Sequence, residues 1–547
     1  MMMRTPMADA NTRGIPPSST TLTGPAPGGG DEFETMEATV AELVASRARE
    51  HGSITAVTGA SGSLTFAELE SGARRLAAAL ADGGCRPGDR IAVHCDNAHA
   101  AEFFLSFAAV GVLGGVFVPL NCRAAAIELG RIMVSSEPSA LITIADDADT
   151  LAKLRDSMHA PAMVVRVAEV PRLIAAHQPV APATSELNDD AAILYTSGTT
   201  GLPKGAVCTQ AAFAQMGERT VASLLGPEAG WPPVQPGDGM QIPVPLYTST
   251  GVIHVISATL HAGMSTWIDA RFDAAESLAR AEAFGPSVVM AVPSMMALMA
   301  EVASPGSLRS VRTFVTGGAH SSPDLLARAR SLWPHTGVIN CYSLTESGGA
   351  MVTNSGDLLD VYPGAAGIPV RGTTIRIESR SGDDAPADGS GFVQFRGPGM
   401  CYRYFRNPEE TARTFRSDGW LVSGDIGRID GGLLRLVGRA ADMIIRGGFN
   451  IMPREIEAAL ETHPAVLEAA VFAKRHRVLG EDIVAVVVPR HSTAAHGLSI
   501  DQLRAHCGET LADYKVPRDI RVVTEPLPRN AFGKVMRRDL AERLGQG

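Results

Sequence analysis

Short apolar runs alternate with segments of helical spacing through most of this chain, and no other feature constrains its fold as tightly. Arg90-Ile91-Ala92-Val93, Val116-Phe117-Val118-Pro119, Ala192-Ile193-Leu194-Tyr195 and Val288-Val289-Met290-Ala291-Val292 read as buried strands, while Phe66 to Ala81 repeats apolar residues with the period of an amphipathic helix. Strand, helix, strand order predicts an α/β protein with parallel or mixed sheets covered by helices. A length of 547 residues exceeds what one simple core can hold, so more than one domain is expected. No solenoid-type repeat is present.

The pattern changes twice. After about Arg371 the segments shorten, and Asp383, Asp384, Asp388, Gly389 and Gly391 mark hairpins or a small barrel-like piece. After Leu433-Leu434-Arg435-Leu436-Val437-Gly438-Arg439 come a strand-like run, a helix over Pro453 to Glu461, a strand over Asp482 to Val488 and an exposed basic tail, together the size of a small α/β domain. At the other end, Met1 to Glu34 is dominated by Pro, Gly, Ser and Thr and has too little apolar side chain to order itself. The expected organisation is a flexible arm over 1–34, a large domain over 35–438 and a small, mobile C-terminal domain over 439–547.

Composition removes several functions. With 45% hydrophobic and 19% charged residues the chain is a folded globule rather than a disordered tether. Its 48 basic and 58 acidic residues leave a formal charge of −10, and no Lys/Arg block stands out, so nucleic acid is not an expected partner. Anionic substrates must therefore be met by local devices. The seven cysteines are scattered and never form a CxxC pair, which fits a reducing compartment and small buried hydrophobes. No apolar run reaches about 18 residues and the N-terminus has no secretion-signal core, so a cytoplasmic protein without a membrane span is expected.

Tyr195-Thr196-Ser197-Gly198-Thr199-Thr200-Gly201-Leu202-Pro203-Lys204-Gly205 follows directly on an apolar strand. Its glycines let successive backbone N–H groups turn inward, its hydroxyls add donors, and Lys204 brings a mobile positive charge, a combination suited to polyphosphate. The Walker spacing GxxxxGK[ST] is absent, so the usual P-loop mechanics do not apply. With this loop, Cys341-Tyr342-Ser343-Leu344-Thr345-Glu346, Ser423-Gly424-Asp425, Gly438-Arg439 through Glu457, and Pro528-Arg529-Asn530-Ala531-Phe532-Gly533-Lys534 in that order, the chain resembles the adenylate-forming superfamily. That superfamily includes acyl-CoA synthetases, aryl-CoA ligases, luciferases and peptide-synthetase adenylation domains, and the resemblance covers nearly everything after the arm.

The resemblance implies ATP (leaving as AMP), Mg2+ and coenzyme A as cofactors, a carboxylic acid or its adenylate as substrate, and admits a homodimer. It implies that Ser197, Gly198, Thr199, Thr200 and Lys204 hold phosphates, that Tyr342 stacks on adenine, that Thr345 donates to the α-phosphate, and that Thr196 and Glu346 hold the metal. Gly318 and Ala319 belong to the nucleotide wall, and Asp425 and Arg439 to the ribose. Tyr247, Thr248, Ser249, Gly317, Gly318 and Leu344 line the acyl site, whose lack of charge points to an apolar or aromatic monocarboxylate. Lys534 neutralises the charge that accumulates when a carboxylate attacks the α-phosphate. For the second step the C-terminal domain swings about a hinge at Ala441, and Gly447 and Gly448 admit the pantetheine arm. Read without the resemblance, Thr345-Glu346 is a helix N-cap at a strand-to-helix turn, Asp425 a turn residue, Gly447-Gly448 a hairpin turn and Lys534 one more solvated lysine.

Four positions depart from the commonest residues of the superfamily. Gln210 and Thr248 each stand where histidine is usual, Ser343 where glycine is usual, and Ala441 where the hinge is typically Asp or Lys. These departures leave alternatives to a complete acyl-CoA ligase: a half-reaction enzyme that uses a preformed acyl-adenylate, an adenylating enzyme that loads a separate carrier protein, and a nucleotide-binding pseudoenzyme. The methionines Met295, Met296 and Met299 read either as core or as an adaptable pocket edge.

Overall fold

A computed structural model describes residues 20–24, 38–145, 161–196, 203–225, 233–379, 389–490, 498–530 and 534–544. The chain is mixed α/β, as its alternating pattern requires. Two large sheets form the N-terminal part. One has nine strands in the spatial order Ile368–Pro369, Gly349–Ser355, Gly337–Leu344, Thr313–Gly317, Val288–Met290, Gly239–Ile242, Ser265–Ile268, Thr55–Gly59, Gly62–Thr65. The other has seven, with Asp190–Thr196, Val116–Pro119, Arg90–His94, Ala140–Thr143 and Met163–Arg166 running parallel, and with Lys204–Thr209 and then Arg403–Tyr404 added at one edge, each antiparallel to the strand before it.

The helix Ala100–Leu113 explains how the two sheets share a core. It is apolar on every side, and apart from Glu102 all its residues are buried, which is the signature of a helix enclosed by other elements. Phe103 and Phe107 meet Phe117 of the seven-stranded sheet edge-on, with ring centroids 5.6 and 5.1 Å apart. The helix Phe66–Asp82, opened by a capping box between Thr65 and Glu68, packs along it.

Beyond these sheets, Thr374–Glu378, Gly391–Arg396, Leu421–Asp430 and Leu433–Arg439 form an antiparallel meander. The residues Asp383, Asp384 and Asp388, expected to mark its hairpin, lie outside the described residues. The last sheet holds Phe449–Ile451, Ile444–Arg446, Gly480–Pro489 and Val466–His476, with Asp519–Val522 added parallel, and has its own core around Ile456, Leu460 and Val471.

Several expectations need correcting. The arm over 1–34 was expected to be flexible throughout, yet Thr21–Thr23 forms the edge strand of the meander, paired antiparallel with Thr374–Arg376, because Leu22 finds an apolar slot there and is 3% exposed. The run Val288–Val292 is a strand only to Met290, since Pro293 starts the helix Pro293–Val302. In that helix Met296 and Met299 are buried against a core containing Phe314 and Trp333, so they are core rather than pocket edge. The basic tail is not simply exposed: Arg537–Leu544 is a helix whose Leu540 is buried and whose Arg537 binds Glu457. Finally, Thr345-Glu346 sits at a strand-to-strand turn, because Gly348 and Gly349, both at positive φ, fold the chain straight back into Gly349–Ser355.

Candidate active site

Parallel strands expose their carboxyl ends on one side of a sheet, and ligands of open α/β sheets bind there. Val288–Met290, Thr313–Gly317 and Gly337–Leu344 of one sheet and Asp190–Thr196 of the other all end at one cleft of about 400 Å³. Its walls include Thr196 and Lys204, Gly318, the run Ser343 to Glu346, Arg439, Ala441 and, from the C-terminal part, Asn530 and Lys534. The phosphate-loop residues Ser197, Gly198, Thr199 and Thr200 lie outside the described residues, but both strands that carry the loop reach the cleft.

The turn Thr345–Gly348 is built rigidly. Gly348 N donates to Thr345 O at 3.1 Å, and Ser347 Oγ accepts from Leu344 N at 2.9 Å. Thr345 Oγ1 lies 2.9 Å from Ser249 Oγ, tying the turn to the helix Ser249–Val255. Against the turn stands Arg219, 1% exposed, whose guanidinium donates to Ser347 O at 2.8 Å, to Gly348 O at 2.7 Å and to Pro398 O. No carboxylate among the described residues pairs with it. Burial lowers its pKa to about 10, so at neutral pH it remains a cation aimed at the turn that should meet phosphate. Gly348 has φ +63°, and a Cβ there would come within 1.9 Å of Gly399 O. Gly348→Ala is therefore expected to cost at least about 2 kcal/mol in a denaturant titration, since neither the backbone of Gly399 nor the turn can yield cheaply. A variant as stable as the parent would show the turn is not fixed by that contact.

Glu346 Oε1 accepts from Tyr404 OH at 2.6 Å, and Lys204 Nζ lies 5.5 Å from the Tyr404 ring centre while pairing with Glu410. Burial and then the Glu346 charge push the Tyr404 phenol up, which keeps it a neutral donor. At the meander, Asp425 and Arg439 are direct cross-strand partners; Arg439 Nε is 3.0 Å from Asp425 Oδ1, and Tyr342 OH donates to the other carboxylate oxygen. Burial, with Asp425 second, raises the Tyr342 phenol well above its ordinary value. Tyr342 and Asp425 thus stand as a bonded pair behind the wall that Ser423, Gly424 and Arg439 present to the cleft.

Lys534 closes the opposite side. Its backbone N donates to Asn530 Oδ1 at 3.0 Å, and Asn530 N donates to Lys534 O at 2.9 Å, so these two residues hold each other at the edge of the cleft. Burial and the neighbouring Arg439 lower its pKa to about 8, against the opposing pull of Asp442 and Asp425. A half-buried lysine beside an arginine is a site prepared for an anion.

Residues 44–405 match the family model described as AMP-binding enzyme, and residues 455–534 match the AMP-binding enzyme C-terminal domain. The chain belongs to the AMP-binding enzyme family. Within it, the chain is an acyl-CoA synthetase of the adenylate-forming superfamily, an acid–thiol ligase. It is 34% identical to a feruloyl-CoA synthase from an Amycolatopsis species, over 91% of this chain and 98% of that one. Among solved structures, it resembles ATP-bound MatB from Rhodopseudomonas palustris (TM-score 0.82, 28% identity, 92% of this chain and 99% of that one). It also resembles o-succinylbenzoate CoA synthetase from Bacillus subtilis in complex with its acyl-adenylate intermediate (TM-score 0.79, 28% identity, 91% and 97%).

Not every residue that the resemblance singled out in this AMP-binding enzyme reaches the cleft. Ser249, Gly318 and Leu344 do; Tyr247, Thr248, Gly317 and Ala319 do not. Thr248 Oγ1 turns to its own backbone, donating to Pro245 O at 2.7 Å and accepting from Gly251 N at 3.1 Å, while Tyr247 is packed away at 8% exposure. Gly317 faces Cys341, where a Cβ would lie 2.4 Å from Sγ. Gln210 is structural: its amide oxygen accepts from Val40 N at 3.0 Å, at the start of the helix Val40–His51. Gly447 and Gly448, at φ +57° and +87°, make a two-residue hairpin turn on the surface, as their bare reading allows, and Ala441 lies in the short helical turn Ala440–Asp442 that joins the meander to the last sheet. Sequence reasoning missed a deep branch of the cleft lined by Thr220, Leu224, Thr250, Ile253, His254, Met290, Gly349 and Ala350. Its helical part lies where two helices loosen into π-turns, Val221–Leu225 and Ile256–His261, which a 3.6-residue period does not reveal.

Proposed function

We propose that this enzyme condenses an apolar-bodied, ring-containing monocarboxylic acid with ATP to an acyl-adenylate and pyrophosphate, then transfers the acyl group to the thiol of coenzyme A. The observation carrying this reading is that one cleft gathers Thr196, Lys204, Thr345, Glu346 and Lys534 beside a deep branch free of Lys, Arg, Asp and Glu. Adenylation brings two anions together, and Lys534 is placed to neutralise both, with Lys204 and Arg439 adding positive charge on the walls of the same cleft. The aromatic acid named for the Amycolatopsis relative supports a ring in the branch, and its thiol acceptor supports coenzyme A.

Magnesium fits the residues present. Among the described residues no group of three His, Cys, Asp or Glu side chains could cage an ion, and Mg2+ is ordinarily held by one or two protein oxygens with substrate phosphates and water. Glu346 and Thr196 would supply those oxygens and the ion would screen the phosphates. In the second step the part of the chain after Arg439 turns about Ala441, withdraws Lys534, and brings Gly447 and Gly448 to the acyl-adenylate.

Incubation with a panel of ring-bearing acids, ATP and Mg2+ is expected to release pyrophosphate without coenzyme A, and to give thioester when it is added. Chelation of Mg2+ should reduce pyrophosphate release to background. Thioester formed only from synthetic acyl-adenylates would instead assign the protein the second half-reaction alone. Pyrophosphate without thioester would point to a carrier protein as acceptor, and silence in every arm to a pseudoenzyme.

A further inference from the structure

The deep branch of the cleft carries no Lys, Arg, Asp or Glu; its apolar wall is Leu224, Ile253, Met290 and Ala350, and one ring-nitrogen side chain, His254, lines it. The imidazole is 7% exposed, and neither nitrogen has a hydrogen-bond partner among the described residues. Burial lowers its pKa to about 4, so at neutral pH it is uncharged and offers one N–H donor and one bare nitrogen acceptor. Two of the other polar side chains there have partners of their own: Thr220 Oγ1 donates to Met216 O at 2.7 Å, and Ser249 is bonded to Thr345. His254 follows Thr250 by one helical turn, on the same face and about 6 Å farther along the axis. Thr250 stands beside Gly318, and on the ligase reading the acyl carboxyl meets the α-phosphate at this end of the helix, which puts His254 one turn farther from it.

We infer that His254 is a specificity-determining residue that selects acids carrying a hydroxyl or ketone oxygen on the ring, on the side away from the carboxyl group. This inference rests on the ligase reading above. His254 lines the open cleft, so an all-hydrocarbon ring that fills the branch would leave its imidazole without a partner, whereas a ligand oxygen at the same place would supply one. An uncharged imidazole gives no counter-ion to a second carboxylate, so the same site disfavours dicarboxylic acids.

The test compares kcat/KM for thioester formation within matched pairs: 4-hydroxycinnamate against cinnamate, and 4-oxocyclohexanecarboxylate against cyclohexanecarboxylate, with terephthalate as a dicarboxylate. The parent enzyme is expected to favour the oxygen-bearing member of at least one pair by roughly 10- to 100-fold, to turn over terephthalate poorly, and the first pair against the second shows whether hydroxyl or ketone is read. His254→Leu should collapse that preference to near unity; His254→Gln, which keeps a donor and an acceptor, should restore it. Equal use of both members by the parent, a preference that survives His254→Leu, or a uniform loss on both members that His254→Gln shares, would each overturn the inference and leave the ligase reading standing. Absence of pyrophosphate release with every acid would instead remove the ligase reading and the inference with it.

Discussion

Lys534→Met is expected to slow pyrophosphate release by at least 10²- to 10³-fold while leaving transfer from a synthetic acyl-adenylate to coenzyme A within a few-fold of the parent. The reason is geometric. Lys534 shares the cleft with Thr345 and Glu346, where a carboxylate and an α-phosphate must meet, but once the adenylate exists that charge has gone. The same variant should be more stable at pH 7. The folded-state pKa of about 8 lies below the ordinary 10.5, so between those values the unfolded chain holds a proton that the folded one has lost, and parent stability rises with pH across that window. Below pH 8 the charge is buried at full cost, bounded at about 3 kcal/mol and reduced by solvent screening because the side chain is only partly covered. Methionine keeps the stem and discards the charge. The parent's kcat/KM for adenylation should accordingly fall above about pH 8, where the free enzyme's lysine loses its proton, and bound ATP should move the corresponding limb of kcat to higher pH. Equal loss of both half-reactions, or a variant less stable at pH 7, would refute this account of Lys534.

How far the site was legible depended on what each residue needed in order to be recognised. Lys534, Thr345 and Glu346 could be named from the chain because each lies in a rare local motif, and the structure brings all three to one cleft. Arg219 could not: in the helix Gln210–Thr220 an arginine reads as solvent-facing, and only the carbonyls of Ser347, Gly348 and Pro398, brought from distant segments, make its burial tolerable. The acyl branch was invisible for another reason. Thr248 sits beside Ser249 in the motif, yet as the residue that starts a helix it spends its hydroxyl on local backbone, and the cleft is lined one and two residues later. Individual strands were legible wherever an apolar run stood alone, whereas Thr21–Thr23 became a strand only through its distant partner Thr374–Arg376.

Arg537→Met is expected to destabilise the C-terminal part by about 3–5 kcal/mol and to reduce adenylation although Lys534 is intact. Glu457 lies in the helix Pro453–Glu461 at 1% exposure, and Arg537 meets it with three hydrogen bonds of 2.7 to 3.0 Å from Nε and Nη2. Arg454, 3.6 Å away, is the second cation near that carboxylate, and Val471 N donates to it at 2.9 Å. Removing Arg537 takes three hydrogen bonds from a buried carboxylate and leaves it only Val471 N and the more distant Arg454, which costs more than the pair ever contributed. It also cuts the 3.4 Å link to Asp442 beside the hinge, so the segment bearing Lys534 loses its tie to both the helix and the joint. Converting both partners in Arg537→Met/Glu457→Met should recover most of the lost stability, because a buried ion pair exchanges for apolar packing at little cost. Adenylation should recover less, since packing restores the helix but not the link to Asp442. Denaturant titration of the single and double variants checks the first claim and pyrophosphate release the second; additive losses in the double variant would mean that Glu457 and Arg537 act separately and that Lys534 is positioned by something else.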